Sequence, residues 1–231
     1  MRPLLALLAL ACALRAEPPR KMSLAFEDSF DGAALDPAKW LVPAFVKPAD
    51  VRLRDGKLVL GISSTSKDLW QGSAVLSKSR FEQALGYFEA SIRFGRHPGH
   101  HGAFRLIGDR PSEPGAKFQE LYIAEGFGDD IVITWRKFND GRVLRDEKPK
   151  DLKPLPPGKA GDSFNTYGLL WTPRELTWYI NGKKVMSARD GVLQDKLHLS
   201  LSHTVSEFEL SRLDPAKLPD DVEIDWVKAW R

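Results

Sequence analysis

Between residues 86 and 94 the chain alternates strictly. Phe88, Ala90, Ile92 and Phe94 are apolar, and Glu89, Ser91 and Arg93 stand between them. Side chains of a strand point alternately to its two sides, so this stretch is a strand with one face in a core. The pattern recurs in short pieces from residue 24 to residue 230, with turn residues between the pieces. Asp55-Gly56 joins residues 51–53 to 57–62 as a hairpin, and Thr172-Pro173 and Asn181-Gly182 divide residues 164–187 into three strands. Residues 73–78, 103–107, 130–135, 197–201 and 222–230 are further strands by the same criterion. Long helical periodicity is missing. Many short, evenly spaced strands specify an all-β sandwich or barrel.

Nothing divides this body. A chain of 231 residues suits one large domain, and it has no internal repeat, low-complexity tract or long linker. Its formal charge is +3, from 34 basic and 31 acidic side chains. That balance, with no basic cluster among aromatics, argues against a nucleic-acid partner. A monomer is expected.

Residues 1–16 form a separate unit: Arg2, then an apolar run from Leu4 to Leu14, the layout of an export signal. The run is too short to span a bilayer. Ala9-Leu10-Ala11-Cys12 also resembles a bacterial lipobox, in which the cysteine is lipidated and becomes the new N-terminus. The two alternatives are cleavage near Ala13 or Ala16 and a lipid anchor at Cys12. Either puts the domain, residues 22–231, outside the cytoplasm: secreted, periplasmic or lipid-anchored. Cys12 is the only cysteine, so the body is expected to hold no internal disulfide.

The stretch Phe118-Gln119-Glu120-Leu121-Tyr122-Ile123-Ala124-Glu125-Gly126 carries the chemistry. Glu120 and Tyr122 share one face of a strand. Glu125 is an odd number of positions from Glu120, so a regular strand sends it to the other face. One β-bulge between Tyr122 and Glu125 brings it back. Two carboxylates then flank whatever lies across the strand, as in a retaining glycosidase, where one is nucleophile and the other acid/base. The alternative is a solvent-facing strand with two ordinary glutamates. Spacing alone leaves both open.

Several segments, taken in order, resemble glycoside hydrolase family 16, the family of laminarinases, lichenases, agarases and carrageenases. Phe26-Glu27-Asp28-Ser29-Phe30-Asp31-Gly32, with Leu35 and Trp40, resembles that family's opening. Ser77-Lys78 followed by Gly86-Tyr87-Phe88-Glu89-Ala90-Ser91-Ile92 resembles one of its strands. Asn165-Thr166-Tyr167-Gly168, Trp171-Thr172-Pro173 and Tyr179-Ile180-Asn181-Gly182 resemble its hairpins, and Asp225-Trp226-Val227-Lys228 its closing strand. Glu120 and Glu125 fall on the two glutamates of its signature, E-x-D-x-x-E.

The resemblance spans residues 22–231. It implies a concanavalin A-like β-jelly-roll of two antiparallel sheets with a concave cleft. It also implies retaining hydrolysis of a β-linked polysaccharide, with Glu120 as nucleophile and Glu125 as acid/base. No cofactor is required. Asp225 stands where family members often bind a structural Ca2+ on the convex side, which hard oxygen ligands suit; otherwise it is an exposed strand aspartate.

Around the signature the chain departs from the pattern. Tyr122 stands in place of the aspartate; its hydroxyl can donate to Glu120 but brings no charge. His101 and Arg105 replace two cleft tryptophans. Arg105 suits a carboxylate or sulfate on an acidic polysaccharide, or else pairs with a nearby acid. Asn165 replaces a histidine, keeping the hydrogen bonding and losing the titration. Trp135 offers an indole face for sugar stacking, as does Trp70. The expected substrate contacts are therefore Tyr122, His101, Arg105, Trp135 and Asn165. Trp40, Trp171, Trp178, Trp226 and Trp230 have apolar neighbours and belong to packing.

His97, His100 and His101 lack a carboxylate at ligand-like spacing, so a solvated loop at the cleft rim is expected rather than a metal site. Loss of the aspartate and tryptophans keeps a second class in view, a carbohydrate-binding protein without turnover. A transglycosylase, sharing the covalent intermediate, is the third.

Overall fold

The computed structural model describes residues 18–66, 69–108, 119–128, 130–132, 135–139, 142–147, 160–189, 192–205 and 210–231; at 65–66, 69, 130–132, 135–139 and 142–147 only the backbone is described. The export segment and most of the proline-rich stretch 148–162 lie outside it. Its strands are β1 (Leu24–Asp28), β2 (Val51–Leu53), β3 (Leu58–Leu60), β4 (Ser63–Ser66), β5 (Leu69–Gln71) and β6 (Ser73–Leu76). They continue with β7 (Glu82–Gln83), β8 (Gly86–Arg93), β9 (His101–Ile107), β10 (Glu120–Phe127), β11 (Asp130–Val132) and β12 (Trp135–Asn139). The last are β13 (Arg142–Glu147), β14 (Asn165–Trp171), β15 (Leu176–Ile180), β16 (Lys183–Ala188), β17 (Leu197–Thr204) and β18 (Val222–Trp230).

An eight-stranded sheet runs β16-β15-β14-β8-β18-β3-β2, with β1 also on β18; a six-stranded sheet runs β11-β10-β9-β17-β6, with β7 on β17. Pairing is antiparallel within both. The alternation of β8 does what it specifies. Phe88, Ala90, Ile92 and Phe94 join Phe104 and Leu106 of β9, Leu121 and Ile123 of β10, and Leu199 and Leu201 of β17 in one buried core. Two antiparallel sheets face to face over such a core make a jelly-roll sandwich.

Under the six-stranded sheet the packing is close. Gly102 and Gly126 are cross-strand partners on β9 and β10. A Cβ on either would stand 2.6 or 2.5 Å from the Phe94 ring. The two missing side chains are what admit Phe94, which meets Tyr167 edge-on with centroids 5.3 Å apart.

Some expectations are refined. The hairpin at Asp55-Gly56 forms, with φ of 53° and 67° at those residues, as a tight two-residue turn requires. Of residues 130–135, 130–132 pair with β10 and Trp135 begins a ribbon with β13, while 133 and 134 lie outside the described residues. The polar side of β8 is not solvated either, since Glu89 is 3% exposed. Tyr87 lies across Gly168, its hydroxyl 3.0 Å from Glu89 Oε1, and the rings of Trp230 and Tyr179 pack on it. Burial pushes the Glu89 carboxyl up to about 7, against hydrogen bonds from Tyr87 and Thr166 and the charge of Lys228. Among the described residues no helix is long and apolar enough to cross a membrane.

Candidate active site

Residues of β9 spaced by two share a face, and they reveal where the glutamates point. Glu120 pairs with Ile107, Tyr122 with Arg105 and Glu125 with Ala103. All three therefore lie on one side of the sheet, the side away from Phe104, Leu106 and the core. The register shifts between Tyr122 and Ala124, leaving Ile123 without a partner of its own. This is the bulge that the odd spacing demands. A residue of the opposite sheet meets it: the Trp178 indole N–H donates to the Tyr122 carbonyl at 2.9 Å.

On the outward face, donors converge on Glu120. Arg105 Nη1 lies 2.8 Å from Glu120 Oε1 and 3.0 Å from the Tyr122 hydroxyl, and that hydroxyl is 3.5 Å from Glu120 Oε2. Arg105 Nε reaches Ser200 Oγ of β17 at 3.3 Å. The guanidinium also sits 5.5 Å from the Tyr122 ring centroid, a cation–π distance. Arginine and tyrosine both present hydrogens, so Glu120 serves as acceptor. Arg105 is thus the partner of an acid on its neighbouring strand, the second of its two expected roles.

Glu125 is held differently. His101 Nε2 is 3.1 Å from Glu125 Oε1, and the His101 ring stacks on Phe127 at 4.4 Å with 13° between planes. Glu125 is 0% exposed against 7% for Glu120, and its Oε2 has no hydrogen-bond partner among the described residues. His101 therefore bonds an acid on this face.

The other expected contacts do not all gather here. Asn165 is on the eight-stranded sheet, paired with core-facing Ile92. Its Nδ2 donates to the Ser163 carbonyl at 3.1 Å, and its Oδ1 accepts from Asn181 at 2.8 Å. Both ends are used in tying the start of β14 to the β15–β16 turn, away from this face. Trp135 begins β12, and its side chain lies outside the described residues. Trp171 and Trp178 are buried packing residues, while Trp226 is only half-buried. His100 is buried at 2% exposed, for reasons of its own bonding, while His97 and His101 are half-buried.

Asp225 is the extra residue of a second bulge, between Ile224 and Trp226 of β18. Among the described residues no group of three or more His, Cys, Asp or Glu is placed to hold a metal ion. Calcium takes about six to eight oxygens, so an ion at Asp225 would draw mainly on backbone carbonyls and water.

Comparison with known proteins agrees with this geometry. The sequence pattern of glycosyl hydrolases family 16 matches residues 45–228. A beta-glucanase of Brevibacillus brevis is 28% identical over 192 residues, 78% of this chain and 71% of its own length. The endo-1,3-1,4-beta-glycanase ExsH of Rhizobium meliloti (strain 1021) is 25% identical over 156 residues, 66% of this chain and 31% of its own. Among solved structures, the laminarinase from Rhodothermus marinus superposes with a TM-score of 0.75 at 20% identity, over 91% of this chain and 98% of that one. A Bacillus licheniformis beta-glucanase gives 0.75 at 16% identity, over 92% and 100%. These two share the jelly-roll fold.

Proposed function

The chain belongs to glycosyl hydrolases family 16, and from that premise we propose that it hydrolyses internal β-glycosidic bonds of a polysaccharide with retention. The observation that carries the reading is the bulge at Ile123, which brings Glu120, Tyr122 and Glu125 onto one outward face. Glu120 attacks the anomeric carbon as the glycosidic C–O bond breaks, and Glu125 gives its proton to the leaving oxygen. Water, giving a proton to Glu125, then releases the sugar from its ester with Glu120. Oε1 of Glu125 is engaged by His101, so Oε2 is the atom left to carry that proton.

The relatives' names make β-1,3- and mixed-linkage glucans the first substrates to try, with agar and carrageenan beside them. Wild type should release new reducing ends and Glu120→Gln none, with the first-formed product keeping the β configuration by proton NMR. Inverted product overturns the retaining mechanism. Binding to the same polymers without release establishes the second reading, a carbohydrate-binding protein, which the complete burial of Glu125 favours.

Two further parts belong to the same proposal. Export follows from residues 1–16, by cleavage near Ala13 or Ala16 or by lipidation at Cys12, and the mass of the mature protein distinguishes them. A structural Ca2+ at Asp225 predicts that a chelator lowers the melting temperature of wild type and not of Asp225→Asn.

A further inference from the structure

The loop between β8 and β9 buries polar groups that the proposed chemistry does not use. Asp220, ahead of β18, accepts from the His97 backbone N–H at 2.7 Å, and its Oδ2 lies 3.1 Å from His100 Nε2. His100 Nδ1 is 2.9 Å from His203 Nε2, and His203 Nδ1 is 2.9 Å from the Leu60 carbonyl oxygen. His203 is 0% exposed and Asp220 9%.

The protons in this chain have one consistent placement. A carbonyl only accepts, so His203 carries its proton on Nδ1. Burial, aided by neighbouring His100, holds His203 down at about 3, so it is neutral and its Nε2 accepts. His100 Nδ1 must then donate. Burial raises the Asp220 carboxyl, but His100 and the backbone N–H groups of Arg96 and His97 outweigh it and bring it to about 2. Ionised Asp220 stands 3.1 Å from His100 Nε2.

Other charged groups nearby are engaged elsewhere. Asp221 is paired with Arg52, and the Arg96 side chain with Asp162 and the Gly161 carbonyl. The loop has no slack. A Cβ on Gly95 would stand 2.5 Å from the His100 ring, and one on Gly99, at φ +105°, 2.2 Å from the Leu213 backbone. The residue after His100 is His101, which bonds Glu125.

We propose that Asp220, His100 and His203 form a positioning relay that fixes His101 against Glu125. The contact stands independently of turnover; its effect on turnover rests on Glu125 being the acid/base of the proposed glycosidase.

Nitrogen NMR of the full chain with labelled histidines tests it. At neutral pH wild type should show His203 protonated on Nδ1 and bare on Nε2, and His100 protonated on Nδ1. Asp220→Asn keeps the shape and removes the charge. It should shift the ring signals of His100 and His101. On a polysaccharide that wild type cleaves, kcat should fall about 10- to 100-fold with KM unchanged. His203→Asn should give the same His101 shift from the other end of the relay, and carries the test if Asp220→Asn does not fold. A bare Nδ1 on wild-type His100, or His101 signals unmoved in a folded variant, overturns the relay. Expected signals in a wild type that cleaves nothing overturn the glycosidase reading and leave the relay standing.

Discussion

Trp178 and Tyr122 tie the two sheets together with one hydrogen bond, from indole N–H to carbonyl oxygen, at the bulge itself. Trp178→Phe keeps a ring in the core and removes the donor. A buried acceptor left without its partner costs about 1–3 kcal/mol. The variant should melt at lower temperature and lose more kcat than KM, because the bulge sets the relation of Glu120 to Glu125. Calorimetry and steady-state kinetics on a cleaved glucan check both; an unchanged melting temperature rules the bond out as a support.

Tyr122→Phe removes a hydroxyl that receives Arg105 and faces Glu120. Burial raises the pKa of Tyr122; Arg105 opposes this, and Glu120 and Glu125 add to it. The hydroxyl therefore keeps its proton past the ordinary tyrosine range and supplies no alkaline limb of its own. The expected result is a fall in kcat of about tenfold, the lower end of what one positioned proton donor contributes, with the shape of the pH profile unchanged. Unaltered turnover would dismiss the hydroxyl.

Arg105→Ala separates two roles. If the arginine serves Glu120, as the 2.8 Å contact indicates, kcat falls on neutral and sulfated polymers alike. A rise in KM confined to sulfated or carboxylated polymers would reassign Arg105 to the substrate.

Glu89 links stability to pH. Its carboxyl goes from an ordinary value near 4.5 to about 7 on folding. The folded state therefore holds this proton more tightly, and the resulting stability is full below 4.5 and is lost as pH rises through 7. Glu89→Gln removes the dependence. Between pH 5 and pH 8 the wild type should lose on the order of 2–3 kcal/mol that the variant keeps. Parallel melting curves for the two proteins across that range would count against it.

Much of this was legible in the sequence, because strand alternation is local. Phe88, Ala90, Ile92 and Phe94 announce their face within seven residues, and for Glu120 and Glu125 to share a face parity requires a bulge between Tyr122 and Glu125. Arg105 was harder: its partner depends on the register of β9 against β10, which no pattern within either strand encodes. The His100 relay was beyond reach. It is assembled from residues 60, 97, 100, 203 and 220, and sequence proximity drew His100 toward its exposed-looking neighbours instead. The burial of Glu125 is likewise a tertiary fact.

Ile123 offers the sharpest contrast between two changes at one position. Ile123→Val trims a buried methyl, costs about 0.5–1.5 kcal/mol, and should leave turnover intact. Deleting Ile123 leaves Glu125 an even number of positions from Glu120, so a strand without the bulge keeps both carboxylates on the outward face. A fall in kcat in a variant that still folds then reports the geometry of the bulge rather than the face of Glu125. Reducing-end assays beside thermal melts distinguish the two.

That contrast identifies a kind of information in the strand other than side-chain identity. Ile123 is interchangeable with its apolar neighbours in chemistry, yet its presence makes the count from Glu120 to Glu125 odd and so obliges the strand to bulge. Part of the site is written as a count: the number of residues between two carboxylates, rather than any one side chain, calls for the irregularity that Trp178 meets from the other sheet.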